Sequence, residues 1–159
     1  MIDRRTLLGG GSAAAAIGLL FGGCSSSASA ARFPVTKSDA EWRQLLGPDR
    51  YHILPEAGTE RAFTSPLNDE HRRGIFVCAA CANLLFSSTT KFDSGTGWPS
   101  FFRALPHAVV TRGVQSLFLG TEILCARCGG HLGHVFNDGP KPTGLRYCMN
   151  GLALRFRAA

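Results

Sequence analysis

Six cysteines are the most chemically informative residues of this sequence, and four of them form two C-x-x-C pairs. The first pair is Cys78 and Cys81, and the second is Cys125 and Cys128. Each spacing lets two thiolates point from a tight turn at one ion, and two such turns supply the soft ligands of tetrahedral zinc. Because four thiolates leave no position for water, we predict one structural zinc ion. Two disulfides remain the alternative, since exported proteins usually meet an oxidising compartment.

Cys148 has no obvious partner once the two pairs are assigned to a metal and Cys24 to the N-terminal segment. A lone cysteine is often a small, unreactive core residue. Here Arg146 lies two residues earlier, and on a strand both side chains would share a face, which favours the thiolate. His131 and His134 follow the second pair and could either complete a reactive site or add metal ligands. Because four cysteines already fill a zinc shell, we favour the reactive site.

The elements that must position these residues are predicted to be mostly strands. Short apolar runs broken by Gly, Pro, Asn and Asp are typical of strands joined by turns. The runs are Gly74 to Val77, Asn83 to Phe86, Leu117 to Leu119, Glu122 to Leu124, His131 to Phe136 and Leu152 to Arg157. In the last run, Leu152, Leu154 and Phe156 alternate with the other residues and should form a buried face. Few intervening segments could hold a crossover helix, so we expect an antiparallel, mainly β domain with a helical N-terminal flank.

One short amphipathic helix is predicted before the strands. Ser38-Asp39-Ala40-Glu41 has the spacing of a capping box. Trp42, Leu45 and Leu46 then fall on one helix face, with Trp42 as the core anchor. Gly47-Pro48 should end this helix.

Residues 1–30 have the composition of a targeting segment, with two arginines before an apolar run. Arg4-Arg5-Thr6-Leu7-Leu8 resembles a twin-arginine signal, which directs proteins to export after folding, so zinc could be loaded in the cytoplasm. Cleavage before Cys24 would leave a lipidated, membrane-tethered protein, and cleavage after Ala28-Ser29-Ala30 would release a soluble one. A retained membrane helix is disfavoured because the run from Leu7 to Gly23 is Gly-rich and shorter than about 20 residues. We expect a signal at 1–30, a linker at 31–37 and a catalytic domain at 38–159, located in the periplasm or on the outer face of the cell membrane.

The basic charge of the chain does not indicate a nucleic-acid partner. The formal net charge is +6, but lysine and arginine are scattered singly or in pairs such as Arg72-Arg73. No basic stripe with interleaved aromatic residues is present in the sequence. We therefore expect no binding of nucleic acid through the cysteine turns.

Four stretches of the sequence carry a resemblance to a known family. They are GTERAF (58–63), GIFVCAACANLLFSSTTKFDSGTGWPSF (74–101), CARCGGHLGHVFNDGPKPTGLRYCMN (125–150) and the closing LALRF (152–156). In this order they resemble the methionine-R-sulfoxide reductase (MsrB) family over residues 39–156. The resemblance implies two antiparallel sheets with short N-terminal helices, and zinc on the two C-x-x-C pairs. It also implies reduction of methionine-R-sulfoxide in proteins or peptides.

The resemblance further implies a role for each candidate site residue. Cys148 would attack the sulfoxide sulfur and become a sulfenic acid, with Arg146 favouring its thiolate. His131 and His134 would hold and protonate the sulfoxide oxygen. The residues that would bind the substrate are Trp98, which would pack against its methyl group, and Asp138 and Asn150, which would line the site.

Two departures from the family pattern refine these expectations. Thr96 stands where many relatives carry a resolving cysteine, between the glycines of SGTGWPSF. We therefore expect an external thiol, from a thioredoxin-like protein or a small molecule, to reduce the sulfenic acid. The segment from Val109 to Gly120 matches poorly, which should affect the choice of peptide and not the chemistry. The chain is expected to be a monomer. The alternative to an enzyme is a zinc-stabilised binding module whose active site no longer catalyses a reaction.

Overall fold

The computed structural model describes residues 33–116 and 120–159. Its helix and strands are α1 (Asp39–Ile53), β1 (Gly74–Cys78), β2 (Leu84–Ser87), β3 (Lys91–Phe92), β4 (Ser100–Phe101), β5 (Val109–Ser116), β6 (Gly120–Cys125), β7 (His131–Phe136), β8 (Arg146–Met149) and β9 (Leu154–Ala158). Short 3₁₀ turns lie at Pro66–Asp69, Ser88–Thr90 and Gly151–Ala153. The predicted targeting segment and the predicted strand at 117–119 lie outside the described residues. Across the described part of the chain, no helix combines the length and the apolar character needed to cross a bilayer.

The strands form two sheets in which every neighbouring pair is antiparallel. The small sheet has the order β2-β1-β9, and the large sheet has the order β3-β4-β8-β7-β6-β5. This arrangement confirms the predicted mainly β fold with two antiparallel sheets. It also places β8, which carries Cys148, between two hydrogen-bonded neighbours.

The helical region begins as predicted but includes a second segment beyond Gly47. The capping box is confirmed, because the Ser38 hydroxyl accepts from the Glu41 amide while the Glu41 carboxylate accepts from the Ser38 amide. Gly47 has a φ of 67° and a ψ of 174°, which are not helical, so the first helical segment ends there as predicted and a second segment follows to Ile53. Pro48 can begin this second segment, because its missing N–H is not needed in the first turn of a helix. Leu45 was wrongly predicted to be buried, since 48% of it is exposed.

The last predicted strand also begins later than expected. Gly151–Ala153 form a 3₁₀ turn, and β9 starts at Leu154. The turn changes the direction of the side chains, so Ala153 is fully buried while Leu152 is only partly so. The alternation therefore holds only from Leu154 onwards.

Phenylalanine rings join the two sheets in the core. Phe76 of β1 and Phe86 of β2 belong to the small sheet, and Phe101 of β4 belongs to the large one. The Phe101 ring centroid lies 4.9 Å from that of Phe76 and 4.4 Å from that of Phe86, and all three side chains are fully buried. Such contacts stabilise a core beyond the burial of area alone. They hold β4, and therefore its neighbour β8, against the small sheet.

Candidate active site

Cys148 lies on β8 between a serine and a histidine of the flanking strands. In the register of the large sheet, Cys148 faces Ser100 of β4 on one side and His134 of β7 on the other. Directly opposed residues of an antiparallel pair have Cβ atoms only about 5 Å apart on the same face. The sheet therefore brings His134 next to the thiol.

A bulge in β7 places both predicted histidines on one face. His134 lies opposite Glu122 and His131 lies opposite Leu124, so three steps along β7 match two steps along β6. On a regular strand, side chains three residues apart point to opposite faces of the sheet. The extra residue of the bulge turns both histidine side chains to the same face. The two imidazole ring centroids are consequently 5.3 Å apart.

Gly133 allows β7 to approach the strand that carries the thiol. A Cβ atom at this position would lie 2.2 Å from the Cys148 carbonyl oxygen, and Gly133 has a φ of +148°. Any other residue would push β8 away from β7. The glycine within the GHLGH stretch therefore maintains the contact between Cys148 and His134.

His131 is hydrogen-bonded to a carboxylate, that of Glu122, whose role was not predicted from the sequence. His131 is buried, and its Nδ1 lies 2.8 Å from Glu122 Oε1. Arg112, the partner of Glu122 across β5 and β6, donates to both carboxylate oxygens at 2.7 and 2.8 Å. Burial would raise the pKa of Glu122, but the hydrogen bonds from Arg112 and His131 lower it below its usual value. The ionised carboxylate assigns the proton to His131 Nδ1, and Nε2 is left buried with no partner among the described residues.

The two histidines occupy different positions relative to the thiol. His134 lines the cleft that contains Cys148. His131 instead lines a small cavity of about 100 Å³ beside α1 and the second C-x-x-C turn.

His134 has a pKa below the usual value for histidine. Burial lowers this pKa most, the neighbouring His131 lowers it further, and the negative charge of Glu122 raises it in part. His134 is therefore neutral at pH 7 and can donate a hydrogen bond from one ring nitrogen.

Arg146 is fixed by Asp138 and by an aromatic ring. Its guanidinium donates to both carboxylate oxygens of Asp138 at 2.8 Å and lies 4.3 Å from the centroid of the Phe136 ring. The hydrogen bond with Asp138 raises the pKa of Arg146, burial opposes this rise, and the nearby Cys148 sulfur adds to it. Asp138 does not line the cleft with Cys148. It is largely exposed and positions Arg146 instead.

The cleft above Cys148 has aromatic walls and a volume of about 390 Å³. Its lining consists of Thr59, Trp98, Gly133, His134, Phe136, Cys148 and Asn150. Phe136 and Thr59 were not predicted as site residues. A largely apolar cleft with few polar groups is typical of sites that bind a small apolar group and orient one reactive atom.

Glu60 holds the two predicted substrate residues in place. The Trp98 indole donates to the Glu60 carbonyl at 3.1 Å, and the Asn150 side-chain oxygen accepts from the Glu60 amide at 3.0 Å. The buried Glu60 carboxylate accepts from the amides of Gly151 and Leu152, which begin the 3₁₀ turn after β8. Glu60 lies in the quoted GTERAF stretch, but only its distant partners in the fold reveal this role.

The four cysteines of the C-x-x-C pairs form one cluster. The sulfur of Cys78 lies 3.7 Å from that of Cys128, the sulfur of Cys81 lies 3.6 Å from that of Cys125, and all four lie within 4.8 Å of one another. A zinc ion about 2.3 Å from four thiolates requires sulfur separations of about 3.8 Å, whereas a disulfide requires about 2.05 Å. The cluster therefore fits one tetrahedral ion and not two disulfides.

The cluster connects the two sheets through matching turns. Cys78 ends β1 of the small sheet, and Cys125 ends β6 of the large sheet. In each turn the residue after the second cysteine has a positive φ, 57° at Ala82 and 72° at Gly129, and its amide donates to the carbonyl of the first cysteine. An ion held here would fasten the sheets together at one end.

The segment predicted as a linker contacts the second C-x-x-C turn. The Val35 amide donates to the Arg127 carbonyl at 2.9 Å. The Phe33 ring packs so closely on Gly129 that a Cβ there would lie 2.4 Å from it. Residues 33–35 are therefore anchored to the cluster.

Comparison with known proteins agrees with this geometry. The profile of the SelR domain matches residues 46–158. The peptide methionine sulfoxide reductase MsrB of Leptospira interrogans is 53% identical over 127 residues, which cover 79% of this chain and 97% of the relative. The MsrB of Agrobacterium fabrum is 56% identical over 124 residues, covering 77% and 92%, and that of Methanosarcina barkeri is 49% identical over 129 residues, covering 80% and 91%. The chain belongs to the SelR domain family, the family of the MsrB peptide methionine sulfoxide reductases.

Proposed function

We propose that this protein reduces the R epimer of methionine sulfoxide in proteins or peptides. The observation that carries the proposal is the position of Cys148 at the base of an apolar cleft, beside Arg146 and opposite His134. The aromatic walls formed by Trp98 and Phe136 suit the methyl group of the substrate. The relatives are peptide methionine sulfoxide reductases, which act on methionine sulfoxide in peptides.

The proposed reaction transfers the sulfoxide oxygen to Cys148. The thiolate supplies two electrons, the oxygen takes up one proton, and the products are methionine and a cysteine sulfenic acid. His134 donates a hydrogen bond to the oxygen as its negative charge develops, and Asn150 orients the substrate. The role that suits His131 is to hold the His134 ring, because it does not line the cleft.

We further propose that an external thiol completes the cycle. Two thiols, from a thioredoxin-like protein or from small molecules, reduce the sulfenic acid to the thiol and release water and a disulfide. Among the described residues, the other four cysteines lie together in the metal-ligand cluster. That cluster is proposed to bind one zinc ion, which would supply structural support and no redox chemistry.

An assay that separates the two sulfoxide epimers tests the proposed activity. The full protein is incubated with dithiothreitol and with each epimer of a blocked methionine sulfoxide, and methionine formation is measured. Conversion of the R epimer alone supports the proposal. Conversion of neither epimer would favour a binding module with a spent site.

A cysteine at position 96 is expected to restore an internal disulfide. The Thr96 hydroxyl oxygen lies 3.6 Å from the Cys148 sulfur, so the sulfur of Thr96→Cys needs only a small movement to reach a bonding distance of about 2 Å. After one turnover without reductant, mass spectrometry should find a 96–148 disulfide in this variant. The wild-type protein should instead carry one added oxygen on Cys148. A disulfide to Cys148 in the wild-type protein would contradict the one-cysteine cycle.

We also propose that the protein acts outside the cytoplasm and repairs exported proteins. The support is the composition of residues 1–30, with Arg4-Arg5 before an apolar run and Cys24 near its end. The catalytic domain would then be 38–159. The intact mass of the mature protein distinguishes a lipidated start at Cys24 from a soluble start at Ala31, and an unprocessed chain would refute both.

A further inference from the structure

A row of three hydroxyl groups beside Cys148 has no role in the reaction described above. The Thr96 oxygen lies 3.6 Å from the Cys148 sulfur and 2.8 Å from the Ser94 oxygen. The Ser94 oxygen lies 2.7 Å from that of Ser100, whose hydroxyl donates to the Trp98 carbonyl at 3.1 Å. These four contacts form a continuous chain from the sulfur to a backbone oxygen, and the Ser94 oxygen also accepts from the Thr96 amide at 3.5 Å. Its inner end is enclosed, since Ser100 is 1% exposed.

When Cys148 is a thiol, only one direction of the chain makes all four contacts hydrogen bonds. A carbonyl oxygen only accepts, so Ser100 must donate to Trp98. Ser94 then donates to Ser100, Thr96 donates to Ser94, and the thiol donates to Thr96. The three hydroxyl protons and the thiol proton fill all four contacts. In this direction Thr96 supports the protonated and unreactive form of Cys148.

When Cys148 is a thiolate, three protons remain for the same four contacts. A hydrogen bond to an ionised acceptor is about twice as strong as one between neutral groups. The contact that stays empty should therefore be the one to the Trp98 carbonyl and not the one to the sulfur. This requires only rotation of the hydroxyl groups, and the thiol proton leaves to water in the open cleft.

We propose that the hydroxyl chain reverses its direction when Cys148 ionises, and that Thr96 is a further catalytic residue that donates a hydrogen bond to the thiolate. This inference rests on the proposed function for its effect on turnover. Thiolate formation itself can be measured without any substrate. Other charged or titratable groups face Cys148 or line the adjoining groove, namely Arg146, Asp138, His134 and Asp93. None of them is changed in the variants that test the proposal.

The ultraviolet absorbance of the thiolate, followed against pH in the metal-bound full chain, tests the first half of the proposal. Cys148→Ser supplies the blank for the other cysteines. Thr96→Val keeps the shape of the side chain but removes the donor, so the midpoint of thiolate formation should rise by about one pH unit. Thr96→Ser keeps the donor and should leave the midpoint unchanged. An unchanged midpoint in Thr96→Val would overturn the role of Thr96.

Ser100→Ala tests whether the chain reverses. In this variant ionisation no longer breaks a hydrogen bond to the Trp98 carbonyl, while Ser94 and Thr96 can still turn towards the sulfur. The midpoint should therefore fall, in the direction opposite to that of Thr96→Val. A midpoint that rises or stays constant in Ser100→Ala would show that the hydroxyls only support the loop, and the reversal would be rejected.

Two further measurements separate an effect on thiolate formation from an effect on folding or on the proposed reaction. Thermal unfolding identifies any variant with a disturbed fold, and Thr96→Ala replaces Thr96→Val if the valine is not accommodated. The rate of alkylation of Cys148 at fixed pH should follow the same order as the titration. If the wild-type protein converts neither sulfoxide epimer, the proposed function fails, and the titration still decides the hydroxyl chain.

Discussion

Replacing Cys148 by serine is expected to reduce methionine sulfoxide reduction by roughly 10³-fold or more. The thiolate is a strong nucleophile at neutral pH, whereas a serine hydroxyl is far less acidic than a thiol and stays protonated and weakly nucleophilic. The serine oxygen also cannot accept the sulfoxide oxygen without forming a hydroperoxide, which is far less stable than a sulfenic acid. The measurement is the rate of methionine formation from the R epimer with excess dithiothreitol.

The control for this variant is its folded state. Cys148 is partly exposed and lies outside the four-cysteine cluster, so the change should leave metal content at the wild-type level and shift the unfolding temperature by only a few degrees. Activity within tenfold of the wild-type protein would remove Cys148 from the role of nucleophile. Loss of both activity and fold would require the milder Cys148→Ala replacement before the role is judged.

Replacing Cys128 by serine is expected to have the opposite pattern, with loss of metal and of stability. The four sulfurs lie within 4.8 Å of one another and join the end of β1 to the end of β6. Without a fourth thiolate the ion binds weakly, and the connection between the two sheets is lost. Several kcal/mol of stability should disappear, which corresponds to a fall of about 10–20 °C in the unfolding temperature.

Metal analysis and thermal unfolding measure this effect directly. The wild-type protein should contain one zinc ion per chain, and Cys128→Ser should contain much less. Cys148→Ser is the matched control, since it makes the same chemical change at a cysteine outside the cluster. A wild-type protein with no zinc and no free thiols at the four positions would refute the metal site in favour of disulfides. Equal stability of the two variants would refute its structural role.

Short sequence patterns were enough to select the candidate metal ligands and the candidate nucleophile, because both depend on residue type and local spacing. The two C-x-x-C pairs predicted a cluster that the fold brings together from two different sheets. Strands were predicted where a short, largely apolar run is bounded by turn residues, as at β7, whose predicted bounds match the structure.

The elements that were missed lack an apolar pattern of their own. β5 runs along the edge of the large sheet, where Val110 is 40% exposed, so its residues give no alternation. β8 was used to place Arg146 beside Cys148 but was not predicted as an element, because its first three residues are all half-buried. Tertiary pairing with β4 and β7 determines both its bounds and its register.

The roles of Glu122 and Glu60 could not be predicted because their partners are distant in the chain. Glu122 lies within an apolar run, and its arginine comes from the β5 segment that departs from the family pattern. Glu60 acts on amides 91 and 92 residues away. Both histidines were selected as candidates from the sequence. The β7 bulge, which puts them on one face of the sheet with His134 nearer to Cys148, could not be predicted from it.

The hydrogen bonding of β8 on both sides also determines the order of events during turnover. Because β4 and β7 both pair with β8, the strand cannot carry Cys148 to another surface after the sulfur is oxidised. In the proposed cycle the sulfenic acid would therefore form and stay in the cleft where the sulfoxide was bound. Methionine would have to leave before the reducing thiol could enter, so we expect the two substrates to use the same cleft in turn, with kinetics of the ping-pong type. A product peptide that dissociates slowly from the cleft would therefore delay the reduction of the sulfenic acid on Cys148.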